Sequence, residues 1–394
     1  MGLALAQDLR VGSLPILSHR KYPAGKRRVG GELLCLYEQP SLSRGGAGGP
    51  VVRIGVVGAG GVMQRVHLPS LRKLGGVEVV AMAELNRALG QRVATAFGIP
   101  RVYGSAEELV AQEALDGVVV IADKPWHAAA CMPALERGLP VFTEKPLAAT
   151  IEDGRRMVET ARRTGARLMV GYMKRYDPAY LEAARLLREG ALGEVRFARI
   201  HDFGGVFVAG AEGVGTLALH PPDGTPRPRP AQPAPATPEE TRRRMFDNWI
   251  EVWIHDVYVM RGLFGDVREI IWSRAGSPKL ALARCGSGTE VLLEMGGPQI
   301  GGAPWDESVE AFGTQGRFTL RFKPPFLLHA PSELVVESPR SIDRPRLGFA
   351  EAFTEEMRHF CRMIAEGGQP ETDGAMGLED MEICSRLVDA ALGA

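Results

Sequence analysis

The chain has 394 residues, 45% hydrophobic and 24% charged, with 47 Lys plus Arg balanced by 47 Asp plus Glu. Zero formal net charge excludes binding to nucleic acid or an anionic membrane through bulk electrostatics, and no apolar run approaches the roughly 20 residues that span a bilayer. The five cysteines (Cys35, Cys131, Cys285, Cys361, Cys384) are far apart and have no metal-ligand or CxxC spacing. They read as core thiols of a reducing, cytoplasmic compartment, with neither disulfides nor a bound metal.

Residues 1–50 mix the basic clusters His19-Arg20-Lys21 and Lys26-Arg27-Arg28 with short apolar runs, and end in the glycine tract Gly45-Gly46-Ala47-Gly48-Gly49. They read as a flexible arm, or as translation assigned upstream of the true start. From Val51 the pattern becomes regular. Val51–Val57 is a β-branched run typical of a strand buried on both faces. A glycine turn and a helix through Leu68, Leu71 and Leu74 follow it. Strands at Val77–Ala83, Leu115–Ala122, Pro140–Thr143 and Arg167–Tyr172 alternate with helices at Asn86–Phe97, Trp126–Arg137 and Ile151–Thr164. Such alternation predicts βαβ units and a parallel sheet over residues 51–172.

Residues 173–394 read differently, as an α+β domain with a mainly antiparallel sheet. A helix (Tyr180–Glu189) and a strand (Val195–Phe203) precede a proline-rich insert at 221–238, which is either a lid or a disordered loop. Thr237-Pro238-Glu239-Glu240 has the form of a capping box and opens a long helix reaching about Phe264. Short strands follow at Val267–Ser273, Leu280–Arg284, Glu290–Met295, Ser308–Gly313 and Arg317–Phe322, then helices at Phe349–Ile364 and Leu378–Leu392.

Gly58-Ala59-Gly60-Gly61-Val62-Met63 lies between the first strand and first helix. The first glycine suits a tight turn and the second a close approach of backbone to a pyrophosphate. Met63 stands where a third small residue is usual. The second strand ends at Glu84, 26 residues after Gly58. A carboxylate there can accept hydrogen bonds from ribose hydroxyls and repel a 2′-phosphate, which favours NAD over NADP. Arg87, three residues on, is the group that would hold that phosphate instead.

Val141-Phe142-Thr143-Glu144-Lys145-Pro146 runs a buried strand directly into Glu-Lys-Pro. With the glycine turn, the His67-x-Pro69 pair, Ile121-Ala122-Asp123-Lys124-Pro125-Trp126-His127 and Gly171-Tyr172-Met173-Lys174-Arg175-Tyr176-Asp177-Pro178, it resembles the Gfo/Idh/MocA family. That family is named for glucose-fructose oxidoreductase, inositol dehydrogenase and a rhizopine-catabolism protein. The resemblance spans roughly residues 51–394, leaving out the arm and the proline-rich insert. It implies a Rossmann dinucleotide-binding domain over residues 51–172 followed by an open-faced antiparallel sheet, with catalysis in a cleft between the two domains. It also implies a homodimer or homotetramer joined through the second sheet, and a cofactor loop of Ala122, Asp123, Trp126 and His127, the histidine lying beneath the nicotinamide.

Hydride transfer also needs a proton moved and a developing oxyanion stabilised. Lys145, at a strand's C-terminal end, suits the second task, while Glu144 suits a cofactor contact or the fixing of the turn. On a continuous helix Glu251 and His255 share a face, with Asn248 and Tyr258 extending the stripe. The carboxylate would then orient the imidazole as acid–base. The resemblance supplies Asp-x-x-x-His here, and this chain departs from it with Glu251, with Trp253 for a glycine and with Tyr258 for an aspartate. Arg175, Tyr176, His201, Asp202, Trp253 and Tyr258 are the candidate substrate contacts. The reading is a nicotinamide-dependent oxidoreductase for a sugar, polyol or cyclitol. Its alternatives are an NAD-dependent glycosidase working by transient oxidation, and a non-catalytic ligand-sensing regulator.

Overall fold

The computed structural model describes residues 51–205, 237–297, 305–328 and 330–393. The N-terminal arm and nearly all of the proline-rich insert lie outside them. Six parallel strands form the first sheet: β1 (Val52–Val57), β2 (Val77–Ala83), β3 (Val102–Tyr103), β4 (Gly117–Val120), β5 (Val141–Glu144) and β6 (Leu168–Gly171). Their order, β3-β2-β1-β4-β5-β6, reverses direction between β1 and β4. In such sheets that switch point is where a dinucleotide sits. Val118, Val119 and Val120 are fully buried, as a parallel strand covered by helices on both faces requires.

Five helices connect these strands: α1 (Leu68–Lys73), α2 (Arg87–Phe97), α3 (Ala106–Gln112), α4 (His127–Glu136) and α5 (Ile151–Thr164). Local chemistry sets their ends. The side chains of Asn86, Ser105 and Thr150 accept from backbone N–H groups of the first turns of α2, α3 and α5, and left-handed Gly98 and Gly165 terminate α2 and α5.

The second sheet has eight strands: β7 (Val195–Phe203), β8 (Val267–Arg274), β9 (Lys279–Cys285), β10 (Glu290–Gly296), β11 (Asp306–Gly313), β12 (Arg317–Phe322), β13 (Glu333–Glu337) and β14 (Ile342–Asp343). They run β14-β13-β12-β11-β7-β10-β9-β8, antiparallel except for the parallel pair β7–β10. Helices α6 (Pro178–Arg188), α7 (Pro238–Asn248) and α8 (Ile254–Phe264) belong to this half, and α6 and α8 pack on the sheet. Ala198, Ile200, Leu293, Val309 and Leu320 face the helices and are buried. Their neighbours in sequence point to the opposite, open face, where Phe197 and Trp272 are exposed.

Three features differ from the sequence expectation. Strand β3 is only two residues long and α3 only seven, too short for a periodic signal, and edge strands β13 and β14 were not anticipated either. The last two helices, α9 (Ala352–Glu366) and α10 (Gly374–Leu392), return to the first sheet: α9 packs on α1 and β1, and α10 on α5 and β6 as well as β8. The long helix expected to reach Phe264 is interrupted by a π-helical turn at Trp249–Trp253, between α7 and α8.

Candidate active site

Gly58 follows β1 with φ of 92°, and a Cβ there would lie 2.1 Å from the carbonyl oxygen of Ile121. The turn therefore needs glycine for both conformation and room. At Gly60 a Cβ would meet no atom within 4 Å, so its backbone borders open space at the switch point. Gly61 and Val62 begin the helix. Met63 does not line the crevice; it is fully buried in the core with Val56 and Met82, in a π-helical turn spanning Met63–His67. Where a third glycine would let helix and sheet approach, its side chain fills the gap.

The Glu84 carboxylate accepts from the N–H of Ala59 at 2.8 Å and of Asn86 at 2.9 Å. It ties the end of β2 to the glycine turn. Gln64 Nε2 clamps the same turn by donating to the Ala59 carbonyl at 2.6 Å. Arg87 points to solvent, its guanidinium 3.8 Å from Glu108. An open cradle at Gly60, a helix starting beside it and a carboxylate at the end of β2 fit a dinucleotide.

Beyond β4 the chain passes Ala122 and exposed Asp123 into a short turn at Lys124–Trp126, with Trp126 55% exposed. Buried His127 holds two loops together, with Nδ1 2.7 Å from the Pro146 carbonyl and Nε2 3.0 Å from that of Ala122. Burial pushes its pKa down. Glu144 shares its carboxylate between His67 Nε2 (2.8 Å) and the Lys145 N–H (3.0 Å). Burial alone would raise its pKa, but the hydrogen bond from His67 and the charges of His67 and Lys145 hold it below the ordinary value. In this geometry Glu144 fixes the turn that presents Lys145. The Lys145 ammonium donates to the carbonyl of Glu251 at 2.6 Å. Burial lowers its pKa against the opposing pull of Glu144 and Glu251, and Lys174 and Lys124 push in the same direction as burial.

The π-helical turn corrects the expected Glu251–His255 pairing. Its added residue per turn takes Glu251 out of register with His255. The Glu251 side chain is instead 3.1 Å from Lys124 Nζ, which also reaches the Asp247 side chain at 3.6 Å and its carbonyl at 3.1 Å. His255 finds its partner one turn on: Nδ1 lies 2.8 Å from the hydroxyl of Tyr258. That tyrosine is fully buried and stacks on Tyr172 with ring centroids 4.0 Å apart. Burial, then the charges of Lys174 and Lys145, drive the His255 pKa well below 6.5, so the imidazole is neutral.

The candidate substrate residues divide. On β7, His201 and Asp202 point to opposite faces. His201 lies on the open face, 3.2 Å from Glu294 and 3.4 Å from Asp306, and so does not share the site with Asp202. Arg175 turns to α10, with Nη1 2.8 Å from Met376 Sδ, and Tyr176 is buried beside His359 of α9. Both serve helix packing. Trp253 lies 8% exposed with the Lys279 ammonium 3.6 Å from its ring centroid.

Asp202 belongs to a buried cluster. It stands directly across from Glu307 on β11, and Asp256 of α8 completes a trio whose nearest oxygens all lie within 4.8 Å of one another. Like charges facing across strands are destabilising. Lys174 Nζ pairs with Glu307 and supplies one counter-charge. Burial, Asp256 and Glu307 push the Asp202 carboxyl well up, and burial with Glu307 pushes Asp256 up, so this pair takes up protons. Sequence reasoning quoted Lys124 and Lys174 inside motifs without giving them roles. The signal available was their position, each just beyond a strand end.

Residues 52–172 match the family model described as an oxidoreductase family with an NAD-binding Rossmann fold, that of Gfo/Idh/MocA. Over these residues the chain is similar to that family. It is 39% identical over 146 residues to the inositol 2-dehydrogenase/D-chiro-inositol 3-dehydrogenase of Shouchella clausii, a match covering 36% of this chain and 42% of the relative. The chain thus spans less than half the length of that relative and of others matched as strongly. Inositol 2-dehydrogenase 3 of Saccharopolyspora erythraea matches at 28% identity over 353 residues, 86% of this chain and 93% of the relative. In fold, the chain is similar to an oxidoreductase from Agrobacterium radiobacter solved in complex with NAD+, L-tartaric acid and magnesium. That likeness has a TM-score of 0.68 at 19% identity, covering 86% of this chain and 96% of the other. No described helix is long and apolar enough to cross a membrane.

Proposed function

We propose that this protein is an NAD(H)-dependent dehydrogenase or reductase acting on a CH–OH or carbonyl carbon of a sugar, polyol or cyclitol. The relatives named as inositol dehydrogenases support the substrate class. The observation that carries the chemistry is the environment of Lys145. Among the described residues its half-buried ammonium donates to a backbone carbonyl and to no side chain, on the helical stretch that also bears His255.

Gly58, Gly60, Gly61 and Val62 would hold the dinucleotide phosphates, Glu84 the adenosine ribose, and the loop from Ala122 to His127 would flank the nicotinamide. Bound NAD(H) supplies the hydride acceptor or donor. Lys145 donates a hydrogen bond to the reacting oxygen and stabilises the negative charge that grows there during oxidation. Neutral His255 takes the hydroxyl proton at the ring nitrogen not engaged by Tyr258, and returns it in the reverse direction. Trp126 and Trp253 frame the cleft with aromatic surface. The open face of the second sheet, with Phe197 and Trp272 exposed, is the surface through which two chains pair.

The test is reduction of NAD+ by the purified protein over a panel of cyclitols, polyols and sugars. Lys145→Met and His255→Ala should each lose turnover while NAD+ binding persists. Sugar release without net NADH would identify the glycosidase reading. NAD+ binding with no redox substrate in either direction would point to the regulator.

A further inference from the structure

Lys279 is the half-buried cation that the chemistry above leaves unused. It opens β9 and pairs with Met295 on β10, which in turn pairs with Asp202 on β7. Residues directly opposite across paired strands share a face, so Glu307, Asp202, Met295 and Lys279 form one row on the helix-covered side. Neighbouring strands lie about 4.8 Å apart, which puts Lys279 on the order of 10 Å from Asp202 at the same end of the sheet. Above the row lies Trp253, and the Lys279 ammonium rests 3.6 Å from its ring centroid. Trp253 is two residues beyond Glu251, whose carbonyl accepts from Lys145.

Among the described residues the Lys279 ammonium meets this aromatic face and no carboxylate. Burial lowers its pKa with nothing opposing, unlike Lys174, whose carboxylate neighbours raise it. A half-buried ammonium without a counter-ion is costly, and an incoming anion would offset that cost. The charge of the acidic cluster next along the row is reduced: Glu307 is paired with Lys174, and burial pushes the carboxyls of Asp202 and Asp256 up.

Building on the oxidoreductase reading, we propose that Lys279, backed by the Trp253 ring, receives an anionic group of the substrate, so that the preferred substrate is a sugar or cyclitol carrying a carboxylate or a phosphate. The neutral ring lies toward Lys145 and the charged substituent toward Lys279.

The experiment is calorimetric titration of the NAD+-loaded protein with glucuronate, glucose 6-phosphate and glucose, repeated in Lys279→Met and Lys279→Arg. We expect at least one anionic sugar to bind tenfold or more tighter than glucose, the preference to collapse in Lys279→Met, and Lys279→Arg to retain most of it. The stronger of the two anions separates carboxylate from phosphate. Equal binding of all three sugars, or an anion preference that survives Lys279→Met, would overturn the proposal. Because binding is read without turnover, the assignment of Lys279 can fail while hydride transfer stands. Anion-selective binding with no redox activity would instead remove the oxidoreductase reading and leave this site in place.

Discussion

Two conservative variants separate the partner expected for His255 from the partner found. Tyr258→Phe keeps the ring stacked on Tyr172 and removes only the hydroxyl 2.8 Å from His255 Nδ1. A buried polar atom left without its partner costs about 1–3 kcal/mol. If that cost falls on the orientation of the imidazole, kcat/KM drops about 5- to 150-fold at 1.36 kcal/mol per decade. Glu251→Gln leaves the carbonyl that holds Lys145 and removes one end of the Lys124 pair, whose carboxylate side chain is 56% exposed. Exposed ion pairs contribute about 0.2–1 kcal/mol, so the loss should stay within about fivefold. The assay is steady-state kinetics in the oxidation direction, with NAD+ affinity and the circular dichroism spectrum as controls for folding. A Glu251→Gln loss above tenfold with Tyr258→Phe near wild type would refute the reasoning and restore the carboxylate as orienter.

Gly58→Ala combines a left-handed conformation, about 1–2 kcal/mol, with an overpacked contact at the Ile121 carbonyl, about 1–3 kcal/mol; denaturant titration should show the sum as lost stability, and an unchanged midpoint would contradict the close approach. Glu84→Gln should weaken NAD+ binding and narrow the preference over NADP+, read by titration calorimetry, because the carboxylate both braces the turn and repels a 2′-phosphate. On the proposed function Lys145 works as an ammonium, and burial lowers its pKa. Its contribution to kcat/KM should therefore be complete at low pH and lost as pH rises through a value below the free-lysine 10.5, an alkaline limb absent from the residual activity of Lys145→Met. Burial raises the thiols of Cys131, Cys285 and Cys361 to about 12, so native protein at pH 8 should leave these three unalkylated until denaturant is added.

The first sheet was legible because each parallel strand is a continuous apolar run between turn signals, from Val52–Val57 through Leu168–Gly171. The positions of Lys145, Gly58 and Glu84 at strand ends were legible because those ends follow from the same apolar runs. His255 could be named but not its partner. A π-helical turn leaves no periodic trace over five residues, and one inserted position moved Glu251 to Lys124 and brought Tyr258 to the imidazole. The same limit misjudged His201, since alternation fixes which residues share a face but not which face meets the cleft. Arg175 and Tyr176 were misread because the helices they pack against, α9 and α10, come from the far end of the chain. Long-range packing of that kind has no local signature.

Three successive strand ends of the first sheet each carry a lysine toward the second half. Lys124 follows β4 and pairs with Asp247 and Glu251. Lys174 follows β6 and pairs with Glu307. Between them, Lys145 directly follows β5 and donates to the Glu251 carbonyl. The outer two ammoniums are therefore paired with carboxylates. On the proposed function the central one is the group that would meet an oxygen arriving from outside; burial, and then Lys174 and Lys124, lower its pKa against the pull of Glu144 and Glu251, which makes it a stronger hydrogen-bond donor. The three like residues thus differ by their partners, and on the proposed function the reacting oxygen would lie between β5 and the turn that carries Glu251.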